Sequence, residues 1–130
     1  MAEKFEDLTI MIIDDSKTIR RTAETLLEKA GCKVVTATDG FDALAKIADT
    51  RPDLIFVDIM MPRLDGYQTC ALIKKSSKHR ETPVIMLSSK DSLFDRARGR
   101  MVGSDEYLTK PFTKESLLRT VESHLQRSPA

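Results

Sequence analysis

The sequence predicts an α/β domain: a parallel sheet with helices on both faces. Three observations carry that prediction. Five short apolar runs recur along the 130 residues. Each is followed by a longer stretch whose apolar residues repeat at helical spacing, and strand–helix repeated in this way builds an open, doubly wound sheet. The third run, Leu54–Val57, is apolar without interruption, as a strand buried on both faces would be.

Thr9–Ile13 is the first run and ends in Asp14-Asp15. Ser16 can cap a helix reaching about Ala30, with Ile19, Ala23, Leu26, Leu27 and Ala30 on one face. Gly31 stands where a terminating glycine belongs. Lys33–Ala37, rich in β-branched residues, is the second run. Asp39-Gly40 turns the chain into a helix marked by Ala43, Leu44, Ile47 and Ala48 and stopped by Pro52. After the third run comes Asp58, then breaks at Pro62 and Gly66, then a helix over Tyr67–Ser76. Pro83–Leu87 is the fourth run, ending at Ser88, and Ser92 to about Met101 forms a helix despite Gly99 inside it. The fifth run, Glu106–Thr109, ends at Lys110-Pro111. Thr113 can cap a last helix carrying Leu117, Leu118, Val121 and Leu125.

Composition narrows the function classes. With 41% hydrophobic and 32% charged residues the chain is globular in character. Twenty-one basic residues against 20 acidic leave a net charge of +1, so there is no bulk basic field to bind nucleic acid. The apolar runs fall far short of the ~20 residues a membrane span needs, and Met1–Asp7 has no signal-peptide core. Cys32 and Cys70 make neither a metal site nor a disulfide framework; both are expected to be reduced thiols, and the location is cytoplasmic by elimination.

In an open parallel sheet, ligands bind beyond the carboxyl ends of the strands. This sequence places Asp14 and Asp15, Asp58, Ser88 and Lys110 there. Taken singly, an aspartate after a strand is more often a turn former, and a lysine before proline a solvated side chain. Their joint placement is the signal. Three clustered carboxylates need a compensating cation, and Mg²⁺ suits oxygen ligands while leaving positions for water and phosphate. A carboxylate beside Mg²⁺, an ammonium and a hydroxyl is equipped to accept a phosphoryl group. Asp58, at the end of an apolar strand, is the expected nucleophile; Asp14 and Asp15, being adjacent, suit the metal.

These residues resemble the receiver domains of two-component response regulators. The matching motifs are Ile12-Ile13-Asp14-Asp15-Ser16, Asp58-Ile59-Met60-Met61-Pro62 leading to Asp65-Gly66, Ser88 after Leu87, and Lys110-Pro111-Phe112. The resemblance runs from about Leu8 to Leu125, leaving 1–7 and 126–130 as short flexible termini and no output domain. It implies a flavodoxin-like (βα)5 fold with strand order 2-1-3-4-5. It further implies Asp58 as phosphoacceptor, Asp15 on Mg²⁺ directly, Asp14 through water, and Met60 through its backbone carbonyl. Ser88 and Lys110 would contact the phosphoryl oxygens, and Ser88 and Tyr107 would be the switch residues, the ring of Tyr107 turning inward. Segments Lys17–Glu24 and Gly66–Ala71 look like the single-domain regulators of type IV pilus chemosensory systems, which implies a motility output.

The expected function is a cytoplasmic phospho-switch rather than an enzyme, supplied by a histidine kinase. It would bind a downstream protein on the face of helix four, strand five and helix five, where Arg96, Arg98 and Arg100 would surround Tyr107 and Lys114; a solvated helix face explains those arginines equally well. Three rivals are weighed. An aspartate-nucleophile phosphatase would want a second aspartate two residues past the nucleophile, where Met60 stands. A nucleotide- or flavin-binding domain would want a glycine-rich turn after strand one. A phosphate-independent scaffold would have lost an acidic residue or the lysine, and none is lost.

Overall fold

The computed structural model describes residues 5–89 and 93–125. Five strands and five helices alternate: β1 Thr9–Ile13, α1 Lys17–Lys29, β2 Lys33–Ala37, α2 Gly40–Thr50, β3 Leu54–Asp58, α3 Gly66–Lys75, β4 Val84–Ser88, α4 Leu93–Met101, β5 Glu106–Thr109 and α5 Lys114–Leu125. The strands are all parallel, in the order β2-β1-β3-β4-β5. Strand order therefore reverses at β1, whose neighbours β2 and β3 lead away to opposite edges.

Side chains alternate across a strand, and here the alternation separates two cores. Met11, Ile13, Ile55, Val57, Val84 and Met86 face α2 and α3, meeting Ala43, Ile47, Cys70 and Ile73. Ile10, Ile12, Leu54, Phe56, Ile85 and Leu87 face α1 and α5, meeting Ala23, Leu27, Leu117 and Val121. The central strands β3 and β4 are buried throughout, as the uninterrupted apolar run requires.

The caps explain most boundaries. Ser16 accepts from the Ile19 amide, and Gly31 at φ 102 closes α1 in the left-handed conformation. Asp39 caps α2 through the Asp42 amide. Thr113 and Ser116 exchange backbone-to-hydroxyl hydrogen bonds ahead of α5.

Three details differ from the sequence reading. Ala48 is exposed, because it lies off the Ala43–Ile47 stripe of α2. That helix ends at Thr50, with Arg51 in the left-handed region, in keeping with a stop at Pro52. Gly66 is not a break but the first residue of α3. Phe5, expected in a flexible terminus, is buried and its amide donates to the Ala30 carbonyl at 3.1 Å. The expected helix start at Ser92, the side chain of Leu125 and the tail 126–130 lie outside the described residues. Cys32 and Cys70 are free and buried, and burial pushes both thiols up to about 11.

Candidate functional site

Because every strand points the same way, the carboxyl ends share one edge, and the reversal of order at β1 opens that edge between β1 and β3. Five residues flagged by the sequence arrive there: Asp14 and Asp15 after β1, Asp58 at the end of β3, Ser88 at the end of β4, and Lys110 after β5. Carboxylate oxygens of Asp14, Asp15 and Asp58 lie within 4.8 Å of one another. Lys110 Nζ donates to Asp58 Oδ1 at 3.0 Å and to Asp14 Oδ2 at 3.3 Å.

Each group is held by its own local structure. Asp14 is fully buried; its Oδ1 accepts from the Ser16 amide at 2.8 Å, and its carbonyl accepts from Arg20 at 2.6 Å. Asp15 is exposed, so one side of the cluster faces solvent. Asp58 is 3% exposed, and the Met60 amide donates to its carboxylate. The Met60 side chain points outward, 64% exposed, so the residue serves the site through its backbone. Ser88 is buried, and its carbonyl accepts from the Lys110 amide at 2.7 Å, which ties the ends of β4 and β5 together. The Lys110–Pro111 peptide is cis.

The electrostatics follow from burial. Desolvation and then the charge of Asp14 hold the Asp58 carboxyl above the usual carboxylate range, against the opposing pull of Lys110. Burial works to lower Lys110, but its hydrogen bond to Asp58 and the charges of Asp14 and Asp58 together leave it raised. The cluster thus holds three carboxylates and one fixed ammonium. Its donors are all oxygen, and the acidic charge exceeds the single cation, so it fits a small, hard divalent cation.

Two features of α3 were missed in the sequence. Asp65 and Gln68 form a reciprocal capping box at its start; an Asx residue three places before Gln was the available signal. Gly66 lies so close to β3 that a Cβ there would meet the Asp58 carbonyl oxygen at 2.4 Å. Nothing local in the sequence reveals that approach.

Beside the cluster, a cavity of about 570 Å³ is lined by Met60, Asp65, Tyr67, Ser88, Asp95 and Arg98, among others. Tyr107 is buried, 8% exposed, with the Arg96 guanidinium 5.0 Å from its ring centre. The arginines of α4 do not all surround Tyr107, as the sequence reading had it. Arg96 and Arg100 lie near it, but Arg98, two residues on and so across the helix, sits 4.3 Å over the ring of Tyr67. Lys114 is exposed at the start of α5. No described helix is long and apolar enough to cross a membrane.

Comparison with known proteins places this architecture. Residues 10–122 match the model of the response regulator receiver domain. Protein PilG of Pseudomonas aeruginosa is 71% identical over 125 residues, covering 96% of this chain and 93% of that protein. The alkaline phosphatase synthesis transcriptional regulatory protein PhoP of Bacillus subtilis is 38% identical, and this chain spans 49% of its length and is itself 92% covered. The solved structure of chemotaxis protein CheY4 of Vibrio cholerae superposes with a TM-score of 0.87 at 35% identity, covering 89% of this chain and 97% of that one.

Proposed function

This chain belongs to the response regulator receiver domain family, and we propose that Asp58 is its phosphoacceptor. The observation that carries the reading is Lys110 Nζ between Asp58 and Asp14, on an edge where three carboxylates gather. In the transfer, an Asp58 carboxylate oxygen bonds to phosphorus while the donor's bond to phosphorus breaks, and the leaving group keeps that electron pair. A histidine kinase's phosphoimidazole is the expected donor. The product is an acyl phosphate, open to hydrolysis, so the signal is self-limiting.

Receiver domains bind Mg²⁺ at an acidic pocket, and in this chain Asp14, Asp15, Asp58 and the Met60 carbonyl would hold it. When bound, Mg²⁺ offsets negative charge on the phosphoryl oxygens. The chain's own residues do the rest. Asp14, pinned by Ser16 and Arg20, keeps the acidic pocket in place. Lys110 supplies a fixed positive charge toward the phosphoryl oxygens once Asp58 is esterified. Ser88, in the lining of the cavity, supplies a hydroxyl. Tyr107, on β5, alternates between its buried position and an outward one.

The output is a change of affinity for a protein partner on the α4–β5–α5 face. The kinship with Protein PilG, together with the resemblance of Lys17–Glu24 and Gly66–Ala71 to type IV pilus regulators, supports a cytoplasmic motility pathway. Acetyl phosphate tests the core of this reading. The wild-type chain is expected to take up label with Mg²⁺ and lose that ability in a chelator, and Asp58→Asn to take up none. Labelling of Asp58→Asn at the wild-type rate would move the acceptor elsewhere.

A further inference from the structure

Helix α4 is gripped on two sides by aromatic rings. Arg96 covers Tyr107 of β5, and Arg98 covers Tyr67 of α3. The Tyr67 hydroxyl also donates to the Asp95 backbone carbonyl at 3.2 Å, joining α3 to the first turn of α4 across 28 residues of chain. Among the described side chains of α4 Gly99 alone is buried, and none belongs to either apolar core. Tyr67, by contrast, is 4% exposed and anchored in the same core as Tyr107 and Met86.

The contacts also border the site. Tyr67, Asp95 and Arg98 line the cavity of about 570 Å³ that reaches Ser88. Tyr67 and Tyr107 belong to the same buried cluster, and burial first, then the charges of Asp95 and Tyr107, push the Tyr67 phenol up to about 12. The grip of Tyr67 on α4 and the buried position of Tyr107 therefore occur together, in one arrangement of the molecule.

We infer that Tyr67 and Arg98 form a latch that holds α4 against α3 and stabilises the arrangement in which Tyr107 is buried. They are positioning residues: neither belongs to the acidic cluster, and both act on the switch through α4. The direction follows from thermodynamics, since a contact favours the state in which it is made. The inference rests on the phosphoacceptor reading, in which the buried position of Tyr107 goes with the phosphorylated state, and adds the contacts that set the balance.

Beryllofluoride, a mimic of the phosphoryl group, reads that balance. It is titrated into the Mg²⁺-loaded wild type and variants, with binding followed by fluorine resonance and Mg²⁺ affinity measured alongside. Tyr67→Phe keeps the ring beneath Arg98 but loses the donor, and is expected to weaken beryllofluoride binding about threefold to tenfold. Arg98→Gln is expected to weaken it about twofold to fivefold, with Arg98→Lys regaining part of the loss. Mg²⁺ affinity is expected to stay at the wild-type value in all three, which a general loosening of the fold would not allow. Wild-type or tighter beryllofluoride affinity in both Tyr67→Phe and Arg98→Gln would overturn the latch. Should Tyr67→Phe prove unfolded at the assay temperature, the surface variant Arg98→Gln decides alone. Failure of the wild type itself to bind beryllofluoride would overturn the phosphoacceptor reading, and the latch with it.

Discussion

Asp58 is asked to be reactive and is made uncomfortable by the same surroundings. Burial and the neighbouring Asp14 disfavour its ionised form, and Lys110 recovers part of that cost. The sign for stability follows. A carboxyl whose folded pKa is raised binds its proton more tightly in the folded state. Stability then declines as pH rises from the ordinary carboxylate value through the raised one, and stays lower at neutrality. Asp58→Asn removes that decline. In chelator near neutral pH the variant is expected to melt at a higher temperature than wild type, and thermal melts across the acidic range check it. Equal melting temperatures at every pH would mean that the cluster carries no strain. Lys110→Ala is the complementary change. It is expected to leave the fold intact and to remove the charge proposed to meet the phosphoryl oxygens, so beryllofluoride should no longer shift the amide resonances of β5. Unchanged shifts would remove Lys110 from the switch.

At the level of elements, the strands deliver chemistry because they are parallel and because α3 begins against the end of β3. Gly66 makes that approach feasible. A methyl group there would meet the Asp58 backbone oxygen at 2.4 Å, so Gly66→Ala is expected to destabilise by about 1–3 kcal/mol, with a parallel loss of acetyl phosphate labelling as β3 shifts. Chemical denaturation and a labelling time course measure the two effects. Asp65→Ala removes the cap of α3 and is expected to cost about 1 kcal/mol. The five strands were legible in the sequence because each apolar run closes on a polar residue, and the candidate site was legible because the polar residues closing β1, β3, β4 and β5 gather there. What was not legible depended on contact between distant segments. Gly99 reads as a helix breaker, yet it is buried where a Cβ would come 3.0 Å from Ser104 Oγ and 3.6 Å from Met86, so packing outweighs propensity. The alternate arginines of α4 read as one face, but residues two apart point to opposite sides of a helix, and Arg98 reaches Tyr67 instead of Tyr107. Phe5 sits among charged residues and gives no periodic signal, yet it finds the core beside α1.

For the whole molecule, an apolar core packs on each face of the sheet, and on the proposed reading the acidic edge and α4 are the parts whose balance a phosphoryl group would tip. Shifting a population from 1:99 to 99:1 takes about 5.5 kcal/mol; the doubly charged phosphoryl group would replace the single charge of the Asp58 carboxylate and place new oxygens beside Lys110. Mg²⁺ should stabilise the folded chain by mass action, about 2.7 kcal/mol at one hundred times its dissociation constant. A melting temperature that does not respond to Mg²⁺ would argue against the acidic cluster as its site. The most direct test of the central claim is chemical trapping of the phosphorylated residue. After reaction with acetyl phosphate and Mg²⁺, borohydride reduction of an aspartyl phosphate yields homoserine, which peptide mass spectrometry locates. The account predicts homoserine at the position of Asp58 and nowhere else; homoserine at Asp14 or Asp15, or phosphate retained on a serine, threonine or histidine, would contradict it.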